Sequence, residues 1–221
     1  MPALEPPPTC VPPACPVSPP TPLDVHPLAL RDPQRLLEET LRHWEGGDLW
    51  VFGYASLIWN PEIEHAERRM ATVLGYHRAL RMWSRINRGT PAVPGLVFAL
   101  MPGGSCRGVV FRVPAGVARR ELDRLWLREM PTGVYDPRWL PCRTEQGVVR
   151  ALGFTLSRRS PNYTGELEES RLVEILRLAE GRYGTTLDYV RRTHDCLQAH
   201  GIRDRRITEL LALARRHRLI D

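Results

Sequence analysis

One glutamate in this sequence lies where an apolar side chain is expected. On a 3.6-residue wheel of the segment VARRELDRLWLREM, steps of four, three and four residues place on one stripe Ala118, Leu122, Leu125 and Glu129. The stripe predicts that the last turn of a helix directs Glu129 toward the interior. Burial and the negative end of the helix dipole both oppose a charged carboxylate, so both raise its pKa. A glutamate with a raised pKa can move protons near neutral pH, which indicates general acid–base catalysis.

A plainer interpretation of the same residue stays open at this point. In it, the Glu129 side chain curls to solvent at a frayed helix end, or pairs with a neighbouring arginine such as Arg128. The other acids of the segment, Glu121 and Asp123, fall off the stripe, where nearby arginines can neutralise them. We therefore select only Glu129 from this helix.

A turn in the first third of the chain offers complementary chemistry. The apolar run of Trp50, Val51 and Phe52 predicts a buried strand, and the next residues, Gly53-Tyr54-Ala55-Ser56-Leu57, allow the backbone to double back. A turn of this kind can direct several main-chain N–H groups at one point. Such a group of donors binds a carboxylate or a developing oxyanion.

Other catalytic and metal-binding motifs are missing from the sequence. HExxH, GxSxG and GxxxxGK[ST] do not occur, so nothing indicates a zincin, a serine hydrolase or a P-loop protein. The five cysteines form no CxxC pair, and their odd number and irregular spacing indicate neither a disulfide framework nor a zinc site. Because Cys106 has no histidine at a recognisable spacing, we expect no thiol nucleophile.

The elements that position these residues follow from periodicity and turn residues. Asp32-Pro33 begins a first helix and Gly46-Gly47 ends it, and the sequence PGGS at residues 102–105 predicts a hairpin. Predicted strands cover residues 50–52, 70–83, 95–101, 106–113, 138–144 and 148–156, and further helices cover 114–130, 167–179, 187–199 and 204–217. Strands in the middle of the chain with helices around them predict an α+β fold, a small mixed β-barrel or curved sheet with packed helices.

Composition narrows the class of protein. More than half of the 21 prolines lie in residues 1–27, which we expect to form a disordered leader before a single domain at 28–221. No apolar stretch approaches the ~18 residues that span a bilayer, so we expect no membrane partner. All 31 basic residues are arginines spread among acids, so the net charge of +6 predicts a solvated surface and no nucleic-acid partner. With no secretory signal and no disulfide pattern, we expect a cytoplasmic location.

Five segments, in this order along the chain, resemble the ChaC-like γ-glutamylcyclotransferases. They are VFGYASLIWNP (51–61), GYHRALRMWSRINRGTPAVPG (75–95), LWLREMPTGVYDPRWLP (125–141), SPNYTGEL (160–167) and GTTLDYV (184–190). The resemblance covers nearly all of the chain after the leader, from about Leu49 onward. It implies a small β-barrel with packed helices, in agreement with the fold class predicted from periodicity.

The resemblance also implies roles for residues already selected. Glu129 corresponds to the family's catalytic glutamate. The substrate-binding loop corresponds to Gly53, Tyr54, Ala55, Ser56, Leu57 and Ile58, and Tyr163, at a predicted turn, is a further candidate contact with the substrate. Ala55 departs from the family, which usually has a second glycine at this position. An alanine with positive φ costs roughly 1–2 kcal/mol, whereas with negative φ its methyl group merely narrows the pocket.

The reaction implied by the resemblance is cyclisation of glutathione to 5-oxoproline and Cys-Gly, a lyase reaction that needs no cofactor and no metal. The arginines Arg78, Arg85 and Arg88 are equally well explained as partners of substrate carboxylates or as supports of the fold. Two alternatives to an enzyme stay open. One is a non-catalytic module of the same fold that binds a γ-glutamyl metabolite or a protein, and the more distant one is a basic protein associated with RNA or DNA.

Overall fold

A computed structural model of the chain describes residues 31–221, so the predicted leader at residues 1–27 lies outside the described residues. The helices are α1 (Pro33–Arg42), α2 (Ser56–Trp59), α3 (Ala115–Glu129), α4 (Glu169–Leu178), α5 (Thr186–Ala199) and α6 (Arg205–Arg216). The strands are β1 (Leu49–Gly53), β2 (Glu67–Ser84), β3 (Gly95–Val113), β4 (Asp136–Thr144), β5 (Gly147–Thr155), β6 (Glu180–Gly181) and β7 (Gly184–Thr185). The predicted α+β class is confirmed.

Strands β1 to β5 close into a barrel in the order β1-β3-β2-β4-β5. The neighbours in this order pair antiparallel, and parallel contacts of β5 with β1 and β3 complete the circuit. Buried apolar side chains fill the interior, with Phe52, Phe111 and Phe154 the largest of those that are fully buried. Because closure gives β1 a partner on both sides, the turn that follows β1 starts from a fixed place.

The predicted hairpin at residues 102–105 is wrong, because β3 runs through these residues as one strand. β2 and β3 pair antiparallel along their lengths, and at one point Gly103 and Gly104 on β3 together face Gly75 on β2. All three glycines have positive φ, a conformation that an irregular register demands and that glycine adopts without steric penalty. The glycine-rich run therefore forms a bulge in a long ribbon, not a chain reversal.

Helix α3 agrees with the prediction to within one residue at each end. Its predicted stripe is buried, since Ala118, Leu122 and Leu125 are each no more than 1% exposed. The indole of Trp126 donates a hydrogen bond of 2.8 Å to the carbonyl of Pro33, which ties α3 to the first turn of α1. The stripe therefore fixes which face of α3 meets the barrel, and with it the direction of the last turn.

Helices α5 and α6 complete the packing around the site described below. α5 packs on α2 and on β3, and α6 packs on α5. The Asp204 carboxylate caps α6 by accepting the N–H groups of Arg206 and Ile207 at 3.1 and 3.3 Å. Within residues 31–221, no helix has the length and apolar character that a membrane crossing requires.

Candidate active site

The carboxylate selected from the sequence lies at the last residue of α3, largely out of water. The side chain of Glu129 is 15% exposed, and the Nε atom of Arg128 lies 3.0 Å from its Oε1. Burial raises the pKa of Glu129, the Arg128 guanidinium opposes this rise, and the carboxylate of Glu62 adds to it. The pKa is raised on balance. Both interpretations made from the sequence therefore apply in part, because Glu129 is largely buried and is also paired with Arg128.

A second acid of α3 is buried even more completely, and the expectation that Glu121 falls off the inward face is wrong. Its side chain is 0% exposed, accepts the N–H of Glu64 at 3.1 Å, and pairs with Arg120 and Arg124 as expected. Burial alone would raise its pKa, but the hydrogen bond from Glu64 and the two arginines leave it lowered. Glu121 is thus held in its charged form as an anchor for the loop before β2, unlike Glu129.

The turn predicted after β1 is present, and it leads directly into α2. The chain reverses over Tyr54 and Ala55, and the N–H of Ile58 donates to the Ala55 carbonyl at 2.9 Å. At the base of the turn, a Cβ atom on Gly108 of β3 would lie 2.3 Å from the Gly53 carbonyl oxygen. Glycine at position 108 therefore allows β3 to pack directly against the backbone that begins the turn.

The backbone at Ala55 decides between the positive and the negative φ considered for this residue. Its φ is −144°, a negative value, so the cost of an alanine at positive φ does not arise and its methyl group narrows the pocket. The N–H groups of Tyr54 and Ala55 donate to no acceptor among residues 31–221, and Ala55 has no side-chain oxygen with which to cap α2. Main-chain donors of the turn are therefore available to a ligand.

Glu129 and the turn line the same cavity. Its walls are formed by Tyr54, Ala55, Ser56, Leu57, Phe98, Glu129, Tyr135, Phe154 and Tyr189. The cavity measures about 20 Å³, room for roughly one water molecule. Of the predicted loop residues, Gly53 and Ile58 do not line the cavity. Gly53 packs against Gly108, and the Ile58 N–H donates to the Ala55 carbonyl. The structure thus brings a largely buried carboxylate and a turn with unpaired main-chain donors to one small space.

A larger cleft of about 410 Å³ lies against α5, α6 and the last residues of the chain. It is lined by Arg191, His194, Asp195, Leu211, Arg215, Arg218, Leu219, Ile220 and Asp221. The cleft contains neither Glu129 nor any residue of the turn, and most of its charged side chains are exposed. Size alone therefore does not identify the reactive site.

The thiols of Cys106, Cys142 and Cys196 are buried, and those of Cys106 and Cys142 are free. Burial raises the pKa of Cys106, and it raises the pKa of Cys142 to about 12, so both thiols stay protonated near neutral pH. In the same part of the chain, no cluster of three or more His, Cys, Asp or Glu side chains is arranged to hold a metal ion. Glu129 is thus the group in the cavity that is suited to accept a proton.

Known proteins are similar to this chain in sequence and in fold. A family model described as "ChaC-like protein" matches residues 49–217, which is most of the chain. The chain belongs to the ChaC-like family. The resemblance stated from five segments is therefore confirmed.

Two relatives of this ChaC-like chain are named as glutathione-specific γ-glutamylcyclotransferases. The protein of Escherichia coli (strain K12) is 36% identical over 166 residues, which cover 75% of this chain and 72% of that one. Glutathione-specific γ-glutamylcyclotransferase 1 of Rattus norvegicus is 31% identical over 166 residues, which cover 72% of this chain and 75% of that one. A yeast γ-glutamyl cyclotransferase specific to glutathione has a crystal structure with a TM-score of 0.71, at 20% identity, covering 77% of this chain and 97% of that chain. The yeast enzyme shares the fold.

Two tyrosines that line the cavity of this ChaC-like chain, Tyr135 and Tyr189, were not selected from the sequence. Tyr135 and Tyr54 are hydrogen-bonded through their hydroxyl groups, and burial raises the pKa of both well above the ordinary value. The hydroxyl of Tyr189 accepts the N–H of Phe98 at 3.3 Å, and burial raises its pKa as well. The Tyr189 oxygen therefore keeps its own proton for donation. Three neutral hydroxyl groups face the cavity that Glu129 lines.

Tyr163, by contrast, does not line this cavity. It forms an isolated bridge with Met82 of β2, and its N–H donates to the Ser160 carbonyl at 3.0 Å. Its role as a substrate contact stays a prediction. The signal for Tyr135 and Tyr189 was their position inside two of the five segments that carried the resemblance, and Tyr135 also lies at a turn between Gly133 and Pro137.

The three arginines considered as partners of substrate carboxylates differ in what they contact. Arg78 is buried, and each of its three guanidinium nitrogens donates to a protein oxygen. Arg85 donates to the Asn162 side chain at 2.9 Å. Arg88 donates to a backbone carbonyl and lies 5.1 Å from the centre of the Tyr189 ring, at the cavity wall. Arg78 therefore has no nitrogen left for a substrate carboxylate, although one of its acceptors is the Tyr54 carbonyl of the turn, and Arg88 contacts the ring of a residue that lines the cavity.

Proposed function

We propose that this chain is a glutathione-specific γ-glutamylcyclotransferase, a lyase that releases 5-oxoproline and Cys-Gly from glutathione. The observation that carries the proposal is that Glu129, a largely buried carboxylate with a raised pKa, lines one cavity with the Tyr54–Ala55 turn, whose N–H groups are unpaired. The names of the relatives from E. coli and rat supply the substrate. The chemistry of the site and the relatives thus support the same reaction class.

The reaction begins with a proton transfer to Glu129. Its carboxylate takes a proton from the α-ammonium group of the γ-glutamyl residue, and the freed amine attacks the γ-carbonyl carbon of the same molecule. A ring C–N bond forms and the carbonyl oxygen becomes an oxyanion. Because the nucleophile and electrophile belong to one molecule, the site mainly has to hold the substrate in a folded conformation.

Collapse of the oxyanion breaks the original amide bond. Glu129 returns its proton to the departing nitrogen, and the second proton lost by the attacking nitrogen also ends on the departing amine. Cys-Gly therefore leaves with an ammonium group, and 5-oxoproline keeps one N–H. The protons balance with Glu129 as the single carrier, and no group of the protein becomes covalently attached.

Main-chain and hydroxyl donors of the cavity stabilise the negative charges of this reaction. The N–H groups of Tyr54 and Ala55 bind the α-carboxylate or the oxyanion, and the Tyr189 hydroxyl donates to a second oxygen. One oxyanion donor is worth roughly 3–4 kcal/mol of barrier in enzymes of this kind. The cavity of about 20 Å³ is far smaller than a γ-glutamyl group, so its side chains move apart when the substrate enters.

The direct test is incubation of the purified chain with glutathione, with 5-oxoproline and Cys-Gly followed by mass spectrometry. A panel of γ-glutamyl dipeptides measured in parallel defines the substrate range. We expect release of both products in equal amounts, with glutathione the preferred substrate. Binding of glutathione without product at high enzyme concentration would contradict the proposal and favour the non-catalytic module of the same fold.

The same proposal includes a cytoplasmic location. Glutathione is abundant in a reducing cytoplasm, and the free, buried thiols of Cys106 and Cys142 suit such a compartment. Fractionation of cells that express the chain, with activity assayed in each fraction, tests this part separately.

A further inference from the structure

A buried arginine of β2, Arg78, contacts the backbone of the turn in the candidate active site. Arg78 is 4% exposed, and its Nε donates to the carbonyl oxygen of Tyr54. Its two terminal nitrogens donate to Asp204 at 2.5 Å and to the Arg107 carbonyl at 2.6 Å. The planar fork of a guanidinium can serve three acceptors at fixed angles, which an ammonium group cannot. The Tyr54 carbonyl is therefore held in one direction.

The direction of that carbonyl determines the direction of the next amide. In a trans peptide, the C=O of one residue and the N–H of the following residue point in opposite directions. Residues 31–221 contain no cis peptide bond, so the Ala55 N–H points away from Arg78. Ala55 lines the cavity, and its N–H has no acceptor among the described residues. The bond from Arg78 thus fixes the direction of this unpaired donor.

The same arginine connects the turn to helix α6. The Oδ1 atom of Asp204 accepts the first N–H groups of α6, while its Oδ2 atom pairs with Arg78. One carboxylate therefore fixes both the start of α6 and the guanidinium of Arg78. The chain of contacts runs from α6 through Asp204 and Arg78 to the Tyr54–Ala55 peptide.

We propose that Arg78, oriented by Asp204, is a positioning residue that sets the Tyr54–Ala55 peptide so that the Ala55 N–H binds the substrate. Arg78 does not touch the substrate itself, because all three of its nitrogens already donate to protein oxygens. The inference rests on the proposed function, since it assigns this peptide a role in the same reaction. It deepens that function by making activity depend on the cap of α6.

The test compares two variants, each with a matched control. Arg78→Lys keeps the charge but loses the fork, and Asp204→Asn keeps a helix-capping side chain but loses the charge that orients Arg78. Arg81 of β2 also donates to a carbonyl and to a carboxylate, those of Gly165 and Glu166, with no contact to the turn. Arg81→Lys and Glu166→Gln are therefore the controls.

We expect Arg78→Lys to lower kcat/KM for glutathione about tenfold or more. Asp204→Asn should cause a smaller loss of the same kind, and the two controls should stay within about twofold of the wild type. A loss in kcat assigns the Ala55 N–H to the oxyanion, and a rise in KM assigns it to the substrate carboxylate. If Arg78→Lys does not fold, Asp204→Asn still decides the question, because its capping function is preserved.

A readout that does not need turnover separates this inference from the proposed function. With 15N-labelled alanine, the Ala55 amide gives one cross-peak, assigned by its loss in Ala55→Gly. We expect this cross-peak to shift and broaden in Arg78→Lys and Asp204→Asn and to stay unchanged in the controls. If the wild type releases no 5-oxoproline, the proposed function fails and the cross-peak alone tests the positioning. Unchanged kcat, KM and cross-peak in both variants would overturn the inference.

Discussion

The guanidinium of Arg128 and the carboxylate of Glu129, neighbours in sequence, face each other across 3.0 Å at the end of α3. Arg128 also donates to the carbonyls of Asn60 and Pro61, so it connects the carboxylate to the loop after α2. Burial raises the pKa of Glu129 while Arg128 limits the rise. The proton affinity of Glu129 is therefore set by two opposing effects, and each can be changed separately.

Replacing the carboxylate with an amide should remove turnover and leave the fold intact. We expect Glu129→Gln to lower kcat at least about 100-fold, since the amide cannot accept the substrate proton. Because the folded-state pKa of Glu129 is raised, the folded protein binds more protons than the unfolded chain between the two pKa values, and stability falls as pH rises through that window. Glu129→Gln should therefore match or exceed the wild-type Tm at pH 7, and this advantage should vanish below about pH 4. Near-normal kcat would contradict the role given to Glu129.

The pH dependence of the wild type should report the raised pKa. As a general base, Glu129 must be charged, so kcat/KM should fall as pH decreases through a value above the ordinary glutamate pKa of about 4.3. This fall is the acid limb of the pH profile. Tm measured over the same pH range serves as the control, because a loss of folding would imitate this limb. An acid limb at or below pH 4.3 would contradict the assignment.

Two neighbours of Glu129 should move this acid limb in opposite directions. Arg128 lowers and Glu62 raises the pKa of the carboxyl, so Arg128→Gln should shift the limb to higher pH and Glu62→Gln to lower pH. Both substitutions introduce a glutamine, which makes each the control for the other. Shifts of the same sign in both variants would show that another group controls the limb.

Local periodicity was sufficient to find the acid and the turn. The step pattern that ends at Glu129 depends on α3 alone, and the turn after β1 depends on one apolar run and the small residues that follow it. Both features were predicted because short stretches of sequence determine them. That the acid and the turn share a cavity was implied only by the resemblance, since nothing in either segment specifies how α3 meets β1.

The features that were missed depend on contacts between distant parts of the chain. Tyr189 reaches the cavity only because α5 packs on β3, where the Phe98 N–H meets its hydroxyl. Glu121 is buried because the backbone of Glu64 donates to it across a loop, which the helical wheel does not represent. The Gly103-Gly104 run gives the same signal for a turn and for a bulge, and only the pairing with β2 distinguishes them.

The Tyr189 hydroxyl should contribute to catalysis as a neutral donor. Tyr189→Phe removes the donor from the cavity and leaves the Phe98 N–H without its acceptor, so we expect kcat to fall about tenfold and Tm to fall slightly. Tyr183→Phe, at an exposed tyrosine, is the matched control and should leave kcat unchanged. A Tyr189→Phe enzyme with wild-type kcat would limit this residue to a structural role.

The methyl group of Ala55 should restrict the pocket, because it lines a cavity of only about 20 Å³. In Ala55→Gly the cavity gains space beside Glu129, so we expect KM for glutathione to fall several-fold with little change in kcat. The φ of −144° is negative, so the substitution removes no positive-φ cost, and glycine should cost about 0.5–1 kcal/mol of stability through chain entropy. Steady-state kinetics and thermal unfolding measure the two effects. A rise in KM would show that the methyl group contacts the substrate favourably and does not crowd it.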